Sequence, residues 1–579
     1  MTKNWKFKNL NNDGSSIEDF NNLTNEIRGL KTKVQLPDLV IKLLCLRGIT
    51  NYAKTVKFFR PTIEKLYDPF LLKDCKIAAE RLIQVIDNKE KIMLLGDYDV
   101  DGTCGVSMFY LFLKNFGLDA SVYIPDRITE GYGISRKSID TAVEEGIKLI
   151  VSIDCGITAA EKIEYAKSKG VEFIICDHHQ SPDNIPQALA VIDPVRRDCT
   201  YPFKALCGTG VAFKLMQAIA ILKGTPELPN SLLDFVAIAT ASDIVSLRDE
   251  NRILVYEGFK ILNSTPRPAF RTLVESSGLE IGKLNTNNII YTVAPRINAV
   301  GRLGDAKRAV KLLTSDNQQD VQEFSDILNS ENITRREIDK NITDTAFKMY
   351  EDSTNEEYKN AIVLHNDSWH PGVIGIVAAR LVEKYNIPSI VLTTVNGVAK
   401  GSARSINGFN IYEALKKCDN LLVQYGGHFH AAGLEIEVAN ITEFKKVFNE
   451  VAVRELTDEQ LIPEIEVDDE ITFEEIDERF VKILNFFEPF GPGNTLPVFT
   501  TRKVQIVGEI KHAKYFTTLF KLRDENGNNF DAVFFNSNDY KPFIIEGNFC
   551  DVCFNIEKSS WKGYEKIKLK IKDMKFYNQ

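Results

Sequence analysis

The chain has 579 residues, 44% hydrophobic and 26% charged, which is the composition of folded globular protein and not of disordered chain. At about 150 residues per domain, the length predicts roughly three to four domains. Its 71 Lys and Arg against 80 Asp and Glu give a net charge of −9, which taken alone argues against a nucleic-acid partner, because phosphates call for a basic footprint.

No run of about 18 apolar residues is present, so no membrane span is expected. The start, Met1-Thr2-Lys3-Asn4-Trp5-Lys6-Phe7-Lys8, lacks the apolar stretch of a signal peptide. Ten cysteines are scattered along the chain, and Cys45, Cys155, Cys176 and Cys207 sit in apolar surroundings, as reduced thiols do. A cytoplasmic protein is expected. Cys550 and Cys553 form a lone Cys-x-x-Cys on alternating sequence, which predicts buried strand residues in preference to zinc ligands.

Residues 1–60 form an N-terminal segment with a helical run at Leu36–Leu46. Residues 61–305 alternate helical stretches with short apolar runs at Lys91–Leu95, Ala120–Ile124, Leu149–Ile153, Phe173–Cys176 and Leu189–Ile192. Such runs predict a parallel sheet covered on both faces, with reactive groups at the carboxyl ends of its strands. Two further apolar runs, Phe235–Ala241 and Ile289–Val293, also read as strands. Residues 306–355 carry Val321, Phe324, Leu328, Ile338, Ile342 and Ala346 at helical spacing, and Asp320–Tyr350 holds no Gly or Pro. This predicts a connecting helix of about 45 Å. Residues 356–455 form a second α/β lobe, with strands near Ala361–Leu364, Ser389–Thr393 and Val398–Ser402. Residues 456–579 read as an acidic linker and five short strands near Lys503–Ile510, Tyr515–Leu522, Phe530–Phe535, Phe549–Ile556 and Tyr564–Ile571. Turn signals at Asn526-Gly527 and Trp561-Lys562-Gly563 separate them, which predicts a small OB-fold barrel.

The strongest chemical signal is Gly96-Asp97-Tyr98-Asp99-Val100-Asp101-Gly102, directly after an apolar strand. If strand geometry continues, the alternate acids point the same way. Like charges so placed make sense around cations that want oxygen ligands. Further strand-like runs end in Asp154-Cys155-Gly156, in Asp177-His178-His179 and in Ser242-Asp243. An acid at one strand end is often only a helix cap. Four such ends on one sheet edge instead supply ligands for two divalent ions, Mn²⁺ or Mg²⁺, suited to phosphoester hydrolysis.

These residues resemble the DHH phosphoesterase superfamily, and within it the branch of single-strand-specific exonucleases. The shared motifs are GDYDVDG at 96–102, SIDCGI at 152–157, CDHH at 176–179, ASDIVSL at 241–247, PRINAVGR at 295–302, WHPGVIGIVAARL at 369–381, KGSARS at 400–405 and GGHFHAAG at 426–433. The resemblance implies 5′→3′ degradation of single-stranded DNA to mononucleotides. It also implies a DHH domain, a long connecting helix, a DHH-associated domain and an OB-fold. It makes Asp99, Asp101, Asp154, His178 and Asp243 the metal ligands, with Asp154 shared between the ions. Asp97 and His179 join the catalytic set in or beside the coordination sphere. Position 95 is Leu where the pyrophosphatase branch has a His ligand, which argues against that branch. A helicase and a single-strand-binding protein are the implied partners, and a monomer is expected. The alternative enzyme is a phosphodiesterase acting on short oligonucleotides or cyclic dinucleotides. The non-enzyme alternative is a scaffold, which would have lost metal ligands.

The same resemblance directs Ser402 and Arg404 toward the terminal phosphate, which a guanidinium can grip in bidentate fashion. Arg127, Arg296, Asn298 and Arg302 are further candidate contacts to DNA. Tyr132 is available for base stacking, and Gly427 and His428 offer backbone N–H groups and an imidazole near a turn. His365, His370 and His512 read as loop or surface residues. In the barrel, Phe520 reads as core, while Trp561 and Tyr564 are the better stacking candidates. Residues 441–480 hold fourteen acids and four bases, and residues 501–579 hold fourteen bases and ten acids. The acidity is therefore local, and the acidic stretch is expected to repel DNA from a wrong surface or to dock a partner.

Overall fold

A computed structural model describes residues 3–11, 15–30, 36–353, 360–561 and 564–577. Strand β1 (Asn4–Phe7) finds its partner far along the chain, as described below. The catalytic lobe is built on β2 (Ile92–Gly96), β3 (Ser121–Tyr123), β4 (Leu149–Ile153), β5 (Glu172–Cys176) and β6 (Ala190–Ile192). They pair in the order β3-β2-β4-β5-β6, all parallel. Leu94, Val151 and Ile174 pack into one helical layer, while Met93, Leu95, Ile150 and Ile175 pack into the other. Both faces are thus buried, which is why these strands are continuously apolar. Gly96 registers with Ile153, and Ile153 with Cys176, so the residues that follow β2, β4 and β5 leave one edge together.

Two expected strands are helical. Phe235–Ala241 lies in the helix Leu233–Ser242, which is buried on every side. A helix with no solvent face carries no periodic signal and reads like a buried strand. Ile289–Val293 is a turn of π-helix leading into the helix Ala294–Leu303. Ile289 and Val293 are buried and Tyr291 is exposed, a four-residue spacing.

The connecting helix runs from Gln318 to Glu351, 34 residues or about 51 Å. The associated lobe holds β7 (Ile362–His365), β8 (Ser389–Val395), β9 (Val398–Arg404), β10 (Leu422–Gly427) and β11 (Ala431–Glu437), in the order β10-β11-β9-β8-β7. The sequence reading has a turn near Gly427 and His428 but no strands at β10 or β11 beside it. The turn joins the two strands of a hairpin, with Gly426 opposite Gly433.

The acidic stretch after residue 455 is folded. It supplies β12 (Glu464–Val467), β13 (Asp469–Glu470) and the helix Glu478–Asn485. The barrel follows as β14 (Phe499–Ala513), β15 (Thr517–Arg523), β16 (Asn529–Phe534), β17 (Phe549–Trp561) and β18 (Tyr564–Phe576). The order β14-β15-β16-β18-β17 returns from β17 to β14, and β16 and β18 run parallel. This closed five-strand order is the OB topology. Phe520 is core as expected, and Cys550 and Cys553 are buried on β17. The side chains of Trp561 and Tyr564, with Lys562 and Gly563, lie outside the described residues.

β1 pairs in parallel with β12, and Leu23, Ile27, Val40, Ile41 and Leu44 share one core with Phe473, Phe480, Phe499 and Phe554. The acids of this stretch hold that contact. Asp468 is buried, accepts from Val498 N at 2.9 Å and pairs with Lys8 at 3.3 Å. Asp469 pairs with Lys42 at 2.7 Å, and Glu470 with Arg502 at 2.9 Å. Asp468, Asp469 and Glu470 thus pair with this chain's own N-terminal segment and barrel. Asp468→Asn is expected to weaken the docking by about 2–3 kcal/mol, because it removes the charge that faces Lys8 and, at 3.9 Å, the buried Arg47. Faster tryptic cleavage within residues 3–60 would report it.

Candidate metal centre and anion cleft

The chain turns sharply after β2. Asp97 is buried at the strand end, and Asp99 caps the helix Val100–Lys114 by accepting from Asp101 N at 2.9 Å and Gly102 N at 3.1 Å. Asp101 lies in the first helical turn, where its carboxylate accepts from Gly208 N at 2.6 Å and Thr209 N at 2.8 Å. The expected strand extension through Asp101 therefore does not occur, and the three acids do not share one direction. They reach one place because the turn folds back on itself. A Cβ on Gly102 would collide with the Asp97 backbone, so only glycine fits there.

Asp154 follows β4 with φ +64°, a strained conformation for a residue with a side chain. A Cβ on Gly208 would lie 2.6 Å from the Asp154 Cβ, so the bare backbone of the next helix lets it approach. His178 Nε2 lies 3.1 Å from Asp154 Oδ1, 3.6 Å from Asp243 Oδ2 and 3.8 Å from Asp101 Oδ2. Asp243 arrives as the residue after the helix Leu233–Ser242. Three overlapping groups could each hold a cation, their ligand atoms within 4.8 Å: Asp97, Asp99 and Asp154; Asp101, His178 and Asp243; Asp154, His178 and His179. Asp154 belongs to two of them.

Asp97 Oδ1, Asp154 Oδ1, His178 Nε2 and Asp243 Oδ2 are buried without a hydrogen-bond partner. Such atoms are costly unless a cation answers them. Burial, and then neighbouring carboxylates, push Asp97, Asp99, Asp154 and Asp243 above the usual carboxylate range. Burial lowers His178. Carboxylates with a neutral imidazole suit Mg²⁺ or Mn²⁺, so the residues fit the ions.

Asp177 does other work. Its Oδ1 accepts from His178 N at 2.8 Å and faces His179 Nδ1 at 2.7 Å, while Oδ2 accepts from Ile157 N at 2.9 Å. Burial opposes charge on His179, but the Asp177 bond overrides it and lifts the imidazole to about 9. Tyr132 donates to Asp154 O at 2.9 Å and sits 3.3 Å from His179 Nε2. The sequence reading assigned no role to Asp177, although it opens the histidine pair.

Beside the acids lies a cleft of about 420 Å³, lined by Arg127, Arg302, Lys400, Ser402, Arg404 and Gly427. Arg404 donates to Ser402 Oγ at 3.1 Å and Ala403 O at 2.8 Å. Arg302 donates to Gly372 O at 3.0 Å. Arg127 lies 4.9 Å over the ring of Tyr98, the residue between Asp97 and Asp99 in sequence. Burial, and then Arg127, lower Arg404, and the same causes bring Arg302 down to about 10. Mutually repelling guanidiniums at one wall form an anion site.

Other expected contacts are placed elsewhere. Arg296 donates to Asn329 on the connecting helix and to Thr292 O. Asn298 accepts from Val100 N at 3.0 Å and so braces the Asp99 turn. His428 is exposed on the β10–β11 turn and does not line the cleft. His370 Nδ1 accepts from Gly372 N, His365 meets Thr394, and His512 meets Thr518, so each serves its own loop or strand.

Residues 91–240 match the DHH family, N-terminal domain; residues 358–454 match the DHHA1 domain; residues 467–573 match the RecJ OB domain. Fold and site thus define a DHH phosphoesterase. The single-stranded-DNA-specific exonuclease RecJ of Bacillus subtilis is 35% identical over 551 residues, covering 95% of this chain and 69% of that protein. The Escherichia coli protein of that name is 31% identical over 506 residues, covering 83% of this chain and 86% of its own length. The crystal structure of RecJ with Mn²⁺ from Thermus thermophilus superposes with a TM-score of 0.83 at 25% identity, over 99% of this chain and 79% of that one. The chain belongs to the RecJ family.

Proposed function

We propose that the chain hydrolyses single-stranded DNA from its 5′ end and releases mononucleotides. One observation carries this reading: a cage with buried, unpartnered carboxylate and imidazole atoms adjoins a cleft whose guanidiniums, among the described residues, pair with no carboxylate. Asp99, Asp101, Asp154, His178 and Asp243 would hold two Mn²⁺ or Mg²⁺ ions, with Asp154 shared. When bound, such ions polarise the phosphoryl group and lower the pKa of water. Arg404, Ser402, Arg302 and Arg127 hold the terminal phosphate in the cleft beside the cage. Asp177 holds His179 Nδ1–H, which leaves Nε2 to donate to a phosphoryl oxygen. Tyr132 offers a ring to the base. The relatives' printed activity on single-stranded DNA supports the substrate. A helicase that exposes the strand and a single-strand-binding protein that covers it fit this reading as partners.

Degradation of a 5′-phosphorylated, 5′-labelled single strand tests the proposal. Labelled mononucleotide as the first product is expected, with Mn²⁺ or Mg²⁺ required. Cleavage confined to oligomers of a few nucleotides, or release starting at the 3′ end, would overturn it. Asp177→Asn is expected to cost about 10–100-fold in kcat, as loss of the group that orients a metal-site histidine does. KM for DNA should stay within a few-fold, and a matching rise in KM would count against a positioning role.

A further inference from the structure

A second cavity, of about 480 Å³, lies where the N-terminal segment, the catalytic lobe and the stretch before the barrel meet. Its walls carry Arg47, Lys54, Lys57, Arg248 and Arg252, against one acid, Asp249. That acid is already taken by Lys57 Nζ at 2.5 Å and the Tyr67 hydroxyl at 2.7 Å. Among the described residues, Lys54, Arg248 and Arg252 form no ion pair, and Arg47 reaches Asp468 only at 3.9 Å.

Arg252 is 3% exposed and donates only to backbone carbonyls: Phe58 at 3.1 Å, Phe487 at 2.7 Å and Phe486 at 2.9 Å. Its guanidinium lies 3.9 Å over the Phe58 ring, and Glu488 stands nearby without pairing with it. Burial pulls this guanidinium down to about 9. Three carbonyls answer its N–H groups but not its charge, so Arg252 adds fixed positive charge to the cavity wall. Ile49, Phe58, Leu247 and Ile253 give the lining an apolar part, beside Tyr67, Asn494 and two glycines. A polar ion alone would not use these walls, whereas a mixed wall with a few fixed cations is the usual make-up of an organic-ligand site of this volume.

The backbone beside it is strained. Ile244 has φ +58° and Asp249 φ +45°. A β-branched residue in that region is an outlier, and such strain gathers at functional sites. The strained stretch begins directly after Asp243 and ends in the cavity wall.

We propose that this junction cavity binds a nucleoside phosphate, its phosphate on the Lys54 and Arg248 side and its base against the apolar wall. The site is distinct from the cleft at Arg404 and does not depend on the proposed reaction. The test is hydrogen exchange on the full-length protein in EDTA, with deoxyadenosine monophosphate or ATP at millimolar concentration. Slower exchange in residues 47–58 and 244–253 is expected. Protection by the monophosphate alone would point to the reaction product, and protection by ATP to a free nucleotide; either supports the site. Lys54 is exposed at the rim, so Lys54→Glu should fold. It should weaken half-saturation at least about tenfold, and Lys54→Arg should restore it. No protection by either nucleotide, or equal protection in Lys54→Glu, would overturn the proposal.

Discussion

Asp154→Asn is expected to lower exonuclease turnover by about 10³-fold or more, since a shared ligand position supplies several kcal/mol of charge stabilisation. Asn is the informative substitution because it tolerates φ +64°, which Ala does not, so the loss cannot be attributed to backbone strain. The metal-free protein should respond in the opposite sense. Asp154 is held above its usual range by burial and then by Asp101, Asp99 and Asp243. A carboxyl raised on folding binds its proton more tightly in the folded state. Its stabilising contribution is therefore present at low pH and lost as pH rises through the raised value. In EDTA at neutral pH, Asp154→Asn should melt at or above the wild-type temperature. With Mn²⁺ added, the wild type should gain more than the variant. Calorimetry with and without EDTA separates the two effects. Retained hydrolysis would remove Asp154 from the ligand set.

Arg404→Ala should cost about 10–100-fold in kcat/KM on 5′-phosphorylated single strands, the range for one charge-assisted phosphate contact. The loss should be much smaller on 5′-hydroxyl strands, so the preference between the two ends should collapse. Arg404→Lys should recover little, because an ammonium lacks the planar fork. Folding should not suffer, since Arg404 is lowered by burial and by repulsion from Arg127. An unchanged end preference would place the terminal phosphate elsewhere.

Much of this is legible in the sequence, for physical reasons. Strands buried on both faces are continuously apolar, so β2, β4 and β5 stood out, and the residues after them marked the acid-rich edge. Asp243 was found at the end of an element of the wrong type, because a helix buried all round, such as Leu233–Ser242, leaves no periodic trace. The shared direction of Asp97, Asp99 and Asp101 failed because Asp99 is itself a helix cap, which local sequence permits as readily as a strand. Arg296 and Asn298 share a motif with Arg302, yet only Arg302 lines the cleft. Successive helical residues point to different sides, and a motif does not say which side faces the site. Asp468 and Asp469 are legible as charge but not as contacts, because their partners Lys8 and Lys42 lie over 400 residues away.

The pairing of β1 with β12 has a consequence for synthesis. Residues 4–7 must wait until residues 464–467 leave the ribosome. At about 5–20 residues per second, that is roughly half a minute to a minute and a half. Through that interval Leu23, Ile27, Val40, Ile41 and Leu44 have no barrel core to enter. The nascent N-terminal segment should be a chaperone client, while the catalytic lobe behind it folds on its own nearer contacts.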